Sequence, residues 1–175
     1  MSHYNIRLAT YGDWDEYLSL IKEAYLPLKE LGIDWPSVRV DLDAAKKNLE
    51  SNSTYVLEKD GEIASTVTIR FPWESAEFDS RYPFIWWFAT KPKFKGQGIG
   101  RTLLDYVEND ILKNTLKSPA LTLGTSAKKH PWLLDMYIGR GYKVYEEIET
   151  DYDDLVVRMY KELIPHSFDK TLLQQ

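Results

Sequence analysis

The first apolar positions, Tyr4, Ile6 and Leu8, alternate with Asn5 and Arg7, and this two-residue period predicts a strand over residues 4–10. The period then lengthens. Tyr17, Leu20, Ile21, Ala24 and Tyr25 recur at helical spacing, predicting a helix from Trp14 to about Leu26 with Asp13 as its cap and Pro27 as its stop. After the turn-rich "GIDWPSV", a more polar helical piece covers Asp43 to Ser51. Ser53–Lys59 and Glu62–Phe71 are β-rich runs joined by Asp60-Gly61, a strong hairpin signal.

Beyond the loop "PWESAEFDSRYP", the run "FIWWFAT" is apolar on both alternating faces, as expected of a central strand covered on both sides. It leads into "KPKFKGQGIG" and then a helix to about Lys117, whose predicted buried face is Ile99, Leu103, Leu104, Val107 and Ile111. "ALTLGT" reads as a strand, Pro131–Arg140 as a helix closed by Gly141, and "YKVYEEIE" and "DLVVRMYKEL" as two strands around an acidic turn. The tail from Ile164 carries no assignment. The order β-α-α-β-β-β-α-β-α-β-β predicts a mixed sheet with helices on both faces, one α/β or α+β domain over residues 1–175 with its core at about 4–162.

Composition narrows the function. A content of 43% hydrophobic and 28% charged residues suits a domain with its own core. The absence of a long apolar run or signal-like N-terminus predicts a soluble, cytoplasmic protein with no membrane partner. Without cysteine there is no disulfide, thiolate metal site or cysteine nucleophile, and the scattered His3, His130 and His166 predict no metal centre. A net charge of −5 argues against a nucleic-acid partner. Yet from Phe84 to Leu104 there are four basic residues, Lys91, Lys93, Lys95 and Arg101, and no acidic one, a local charge suited to a compact anionic ligand.

Gly96, Gly98 and Gly100 stand where the predicted central strand gives way to a helix. The first N–H groups of a helix lack internal partners and carry the positive end of its dipole, so a glycine-rich loop there is a place for phosphate. A Walker loop is excluded because no Lys-Ser/Thr follows the last glycine. The dinucleotide fingerprint fails too: its third glycine falls one residue later, and it needs parallel units where this chain has a hairpin.

The stretch resembles the GNAT superfamily of acyl-CoA-dependent N-acetyltransferases, whose signature is Gln/Arg-x-x-Gly-x-Gly/Ala between the fourth strand and third helix, usually after a proline. Pro92 and "KGQGIG" occupy that place, with Lys95 where the family prefers Arg or Gln, a cation without the planar two-pronged geometry of arginine. The family's "LYEKxGF" pattern appears as Met136-Tyr137-Ile138-Gly139-Arg140-Gly141-Tyr142. The element order matches over about residues 4–162, which implies a GNAT-like fold with a mixed, mostly antiparallel central sheet.

The resemblance implies the chemistry: acetyl transfer from acetyl-CoA to a primary amine of a small molecule, amino acid derivative or protein, by direct attack and without a metal. The pyrophosphate would lie on the N–H groups of Lys95, Gly96, Gln97, Gly98, Ile99, Gly100 and Arg101. The pantetheine arm would run along Phe88, Ala89 and Thr90, with an oxyanion donor near Phe88. Tyr137 matches the tyrosine that protonates the leaving thiolate, and His130 stands where many relatives place an Asn on the cofactor arm. His130 also reads as a plain helix cap, and as a weaker candidate base. Glu74 is the candidate base, with Glu77 and Asp79 behind it. Trp35, Trp73, Tyr82, Trp86 and Trp87 fall around the acceptor groove, and with "WESAEFD" they predict an acidic, aromatic groove for a cationic amine. A homodimer is compatible with the resemblance. The rival readings are a cofactor-binding sensor or interaction module that lost turnover, and a nucleotide-binding protein of another fold.

Overall fold

The computed structural model describes residues 3–74 and 80–174, and its elements follow the predicted order. Asp60 and Gly61 take positive φ angles of 52° and 82° and close the hairpin between β2 (Ser53–Lys59) and β3 (Glu62–Arg70). β1 (Tyr4–Leu8) lies along β2 as an edge strand, which leaves Tyr4 and Leu8 exposed. Further along come β4 (Phe84–Thr90), β5 (Ala120–Ser126), β6 (Lys143–Glu149) and β7 (Leu155–Glu162). The seven strands form one sheet in the order β1-β2-β3-β4-β5-β7-β6, antiparallel throughout except between β4 and β5, which run parallel. It is an α/β fold.

Two cores form, one on each face. Helices α1 (Trp14–Glu30) and α2 (Leu42–Ser51) pack Tyr17, Leu20, Ile21, Ala45 and Leu49 against Val56, Ile63, Trp87 and Ala89. On the other face lie α3 (Ile99–Asp105) and α4 (Pro131–Gly139), with Leu103, Leu104 and Tyr137 over Val67, Ile85, Leu121, Leu123 and Val157. Asn48, on the inner side of α2, spends its amide on the Tyr17 hydroxyl (2.7 Å) and Thr68 (2.9 Å), so a buried polar side chain ties both helices to β3.

Three local expectations are corrected. Pro27 does not end α1, which runs on to Glu30. Proline removes one N–H donor, to a carbonyl on the helix's exposed side that is open to solvent, while Leu28 gains burial in the added turn. Asp13 does not cap α1 through its side chain. Its carboxylate instead accepts two bonds from Arg7 at 2.8 and 3.0 Å and one from the Thr10 N–H at 2.7 Å, fastening the end of β1. Ile111 is only half-buried, and Leu112 is the fully buried residue. After Asp105 the helix widens into π-helical turns over Tyr106–Thr115, with the Leu116 N–H reaching the Ile111 carbonyl at 2.9 Å. One extra residue per turn moves the buried stripe forward by one position.

The tail forms two short helical turns, Pro165–Ser167 and Lys170–Leu173, packed on the sheet's outer end through Leu173, Phe168 and Tyr82. The Tyr82 hydroxyl accepts from the Asp169 N–H at 2.8 Å and donates to its carbonyl at 3.0 Å. Among the described residues no helix is long and apolar enough to cross a membrane.

Candidate active site

The site begins with a split in the sheet. β4 and β5 meet in register at Phe84 and Thr122 and then part, while β4 stays paired to β3 as far as Thr90 and β5 to β7 as far as Ser126. Among the described residues the facing edges of β4 and β5 beyond that point have no strand partner, so an extended chain can enter there.

A bulge in β4 shapes the wedge. The register with β3 passes from Trp86 opposite Thr68 to Ala89 opposite Thr66, so Trp87 and Phe88 share the place of one residue, and Trp87 takes φ of 51°. The extra residue breaks the alternation. Trp86 and Trp87 both turn to the α1 face, with ring centroids 5.0 Å apart, and Phe88 turns to the α3 face. The Tyr25 hydroxyl donates to the Phe88 carbonyl at 2.8 Å and holds the bulge from α1.

The glycine loop follows β4. Gly96 and Gly98 take φ of 80° and 75°, and a Cβ built on either would meet nothing within 4 Å, so the space before the first N–H groups of α3 is open. Gly100 has a different reason. A Cβ there would stand 2.7 Å from Thr90 Oγ1 and 3.1 Å from Phe88 Cζ, so its absence lets α3 sit close on β4. Lys95 and Arg101 are exposed beside the loop, and Lys59 Nζ donates to Gln97 Oε1 at 2.5 Å.

A cavity of about 1040 Å³ runs along the wedge. Phe88, Ala89, Thr90, Lys95, Gly96, Gly98, Ile99, Gly100 and Arg101 all line it, as do Tyr137 and His130. The Tyr137 hydroxyl has no hydrogen-bond partner among the described residues, and its ring stands edge-on to Tyr142 at 5.3 Å. Burial pushes its pKa above the ordinary phenol range, opposed by Arg140 and reinforced by Glu108, so the phenol is protonated at neutral pH. His130 stands at the N-cap of α4, but its side chain caps nothing; its N–H donates to Ser126 Oγ at 3.0 Å. Its Nδ1 is buried without a partner among the described residues, and burial first, then the charge of Lys95, lowers its pKa against the pull of the residue's own backbone. Asp154 holds this loop, accepting from Ser126 Oγ at 2.8 Å and the Lys129 N–H at 3.0 Å.

The acceptor side departs from expectation. Glu74 is exposed and outside the cavity lining, its carboxylate accepting the Phe71 N–H at 3.1 Å within its own turn. Glu77 and Asp79 lie outside the described residues. Trp35, Trp86 and Trp87 line the cavity, but Trp73 is 77% exposed and stacks on Phe71, and Tyr82 belongs to the tail cluster. Among the described residues the lining carries Lys95, Arg101, Arg140 and Arg158 against the single carboxylate of Asp135. Of the carboxylates that suggested an acidic groove, Glu74 is on an exposed turn. Sequence reading missed Tyr25, Ser37, Gly124 and Arg158, although Arg158 between Val156 and Tyr160 is a charge on an otherwise apolar strand face.

Residues 14–142 match the sequence profile of the acetyltransferase (GNAT) family. The chain is 56% identical over 173 residues, 99% of its length and 97% of the relative's, to the S-alkylcysteine N-acetyltransferase of Bacillus subtilis strain 168. It is 42% identical over 157 residues, covering 90% and 94%, to the S-(2-succino)cysteine N-acetyltransferase of the same organism. Among solved structures, the ribosomal-protein-S18-alanine N-acetyltransferase from Escherichia coli shares the fold with a TM-score of 0.69 at 16% identity, covering 92% of this chain and 94% of that one. With a glycine loop, a split central sheet and a lining tyrosine already in place, the chain belongs to the GNAT family and is an N-acetyltransferase.

Proposed function

We propose that the protein acetylates the α-amino group of S-substituted cysteines, S-alkylcysteines foremost, with acetyl-CoA as donor. The observation that carries this reading is the 56% identity over almost the whole of both chains with an enzyme of that activity. The cavity supports it: Leu28, Trp35 and Ile148 give an apolar wall suited to an alkyl substituent.

The residues fit acetyl-CoA. The open space before Gly96 and Gly98 suits a pyrophosphate on the N–H groups from Gly96 to Arg101, with Lys95 and Gln97 beside it. The free edge of β4 at Phe88, Ala89 and Thr90 suits the pantetheine amides, and the unpartnered His130 Nδ1 is a further polar contact for the arm. The co-substrate supplies an acetyl thioester. The neutral amine attacks its carbonyl carbon, a C–N bond forms, and a backbone N–H near Phe88 takes the oxyanion. The C–S bond then breaks, Tyr137 gives its proton to the thiolate, and the proton shed by the newly bonded nitrogen restores the phenol through cavity water. With Glu74 turned into its own loop, we assign removal of the ammonium proton to cavity water. The cytoplasm, where acetyl-CoA is used, is the proposed location.

The test is thiol release from acetyl-CoA with S-methyl-, S-ethyl- and S-benzylcysteine beside cysteine, alanine, spermidine and a short peptide. An S-alkylcysteine is expected to give the highest kcat/KM. A polyamine or peptide preferred tenfold over every S-alkylcysteine overturns the proposal.

A further inference from the structure

Of the cations that line the cavity, Lys95 and Arg101 flank the glycine loop, and Arg140 is held by Asp105 at 2.7 Å and Glu108 at 2.9 Å. Arg158 stands apart from these. It projects from β7 on the α1 face, since its neighbours Val157 and Met159 point into the opposite core. One terminal nitrogen donates to Glu146 Oε2 at 3.1 Å, and its remaining donors have no partner among the described residues. With 27% of its side chain exposed, the guanidinium is tethered but not used up.

The register says what it faces. Gly124 on β5 pairs with Arg158 on β7, and Phe84 pairs with Thr122, so Trp86 stands level with Gly124 just past the point where β4 and β5 part. Gly124 therefore floors the cavity between an indole and a guanidinium. Nothing in the packing requires a glycine there: a Cβ would meet only the Val157 carbonyl at 3.8 Å and Val156 Cγ1 at 3.9 Å, ordinary contacts, and the backbone is not left-handed. The bare floor keeps room open for a substrate.

We propose that Arg158 binds the α-carboxylate of the acceptor, seated over Gly124 beside Trp86, so that the enzyme selects free α-amino acids against amines lacking a carboxylate and against cysteines whose carboxyl lies in a peptide bond. This deepens the proposed function and rests on it. A guanidinium matches a carboxylate with two parallel N–H bonds, and Glu146 tethers one of its terminal nitrogens while leaving the others free for that approach. The ammonium nitrogen and the carboxylate share one carbon, so gripping the carboxylate over Gly124 sets the amine at the mouth of the wedge where the thioester would lie.

The experiment compares S-methylcysteine with S-methylcysteine amide, at a pH where both amines are largely neutral because amidation acidifies the ammonium. The wild-type enzyme is expected to prefer the acid by about 10- to 100-fold in kcat/KM, the range for a charge-assisted hydrogen-bonded pair. Arg158→Met should bring the two substrates to within about threefold, chiefly by raising KM for the acid, and Arg158→Lys should restore part of the preference. Gly124→Ala should raise KM for both. Calorimetric acetyl-CoA affinity and the unfolding midpoint check that each variant is folded. If the wild type acetylates S-methylcysteine but Arg158→Met keeps its preference for the acid, the role of Arg158 is overturned while the proposed function stands. If the wild type acetylates neither compound, the proposed function falls and this inference with it.

Discussion

The phenol of Tyr142 donates to the carboxylate of Glu108 across 2.6 Å, in a part of the fold where Glu108 has no solvent exposure at all. The other oxygen of Glu108 accepts from Arg140 and from Lys161, each at 2.9 Å. These partners come from the end of α4, from the loop after it and from β7, so one buried carboxylate on the widened helix fastens the segment that carries Tyr137. The Tyr137 ring rests edge-on against Tyr142.

Glu108→Gln keeps the shape of that side chain and deletes its charge. Arg140 and Lys161 would then face a neutral amide, and breaking a buried pair on one side costs on the order of 3 kcal/mol. Urea unfolding should show a shift in unfolding free energy of that size. A shift smaller than about 0.5 kcal/mol, the ordinary range for surface substitutions, would remove the carboxylate from the supports of α4.

Tyr137→Phe separates catalysis from packing. The hydroxyl has no partner among the described residues, so its removal should leave the unfolding midpoint and acetyl-CoA affinity close to wild type. It deletes the proton that the thiolate would take, so kcat should fall by roughly 10²-fold, within the usual range for general acid catalysis. An unchanged kcat with chemistry shown to be rate-limiting would take Tyr137 out of the proton path.

Gly98 tests the loop. At φ of 75° a valine is strained, so Gly98→Val alone would confuse folding with binding. Gly98→Asn tolerates the left-handed conformation and still puts a side chain into the space left open for an anion. It should stay folded and bind acetyl-CoA at least tenfold more weakly. Wild-type affinity in calorimetry would move the phosphates elsewhere.

The pKa of His130 is lowered in the folded chain, by burial first, so the folded state holds fewer protons than the unfolded chain in mild acid. Its contribution to stability is therefore intact above the ordinary histidine value of ~6.5 and declines as pH falls below it, towards the folded value. His130→Asn should flatten that part of the curve. Denaturation midpoints measured from pH 8 down to pH 5.5 should converge between the two proteins at the acid end; parallel curves would argue against a buried neutral imidazole.

What the sequence made legible follows from which forces are local. The Asp60-Gly61 turn, the helical stripe through Tyr17, Leu20 and Ile21, and the glycine loop each write their reason within a few residues. Other features answer to distant partners. Trp86 and Trp87 share a face only because β4 bulges against β3, and no alternation rule anticipates an inserted residue. Leu112 replaces Ile111 in the core because the helix widens, and Glu108 is buried because its three partners arrive from 32 to 53 residues away. On the acceptor side, nearby tryptophans and carboxylates in "WESAEFD" suggested a groove, yet Trp73 and Glu74 close onto Phe71 instead.

Gly100 supplies the last test, because its reason differs from that of the two glycines before it. A Cβ there would lie 2.7 Å from Thr90 Oγ1 and 3.1 Å from Phe88 Cζ, while Thr90 Oγ1 is itself 3.0 Å from the Ser65 hydroxyl and has little freedom to retreat. Gly100→Ala should therefore push the start of α3 away from β4 and destabilise the protein by about 1–3 kcal/mol, the usual cost of overpacking. Removing the obstacle should give part of that back. In the double variant Gly100→Ala with Thr90→Ala, the Oγ1 contact is gone and only the ring edge of Phe88 remains, so the two substitutions together should cost less than the sum of each alone. Acetyl-CoA affinity should follow the same order, weakest in Gly100→Ala, since the N–H groups of the loop move with the helix. Strict additivity in a double-mutant cycle would mean that Gly100 and Thr90 do not touch, and that the close approach of α3 to β4 is not what this glycine provides.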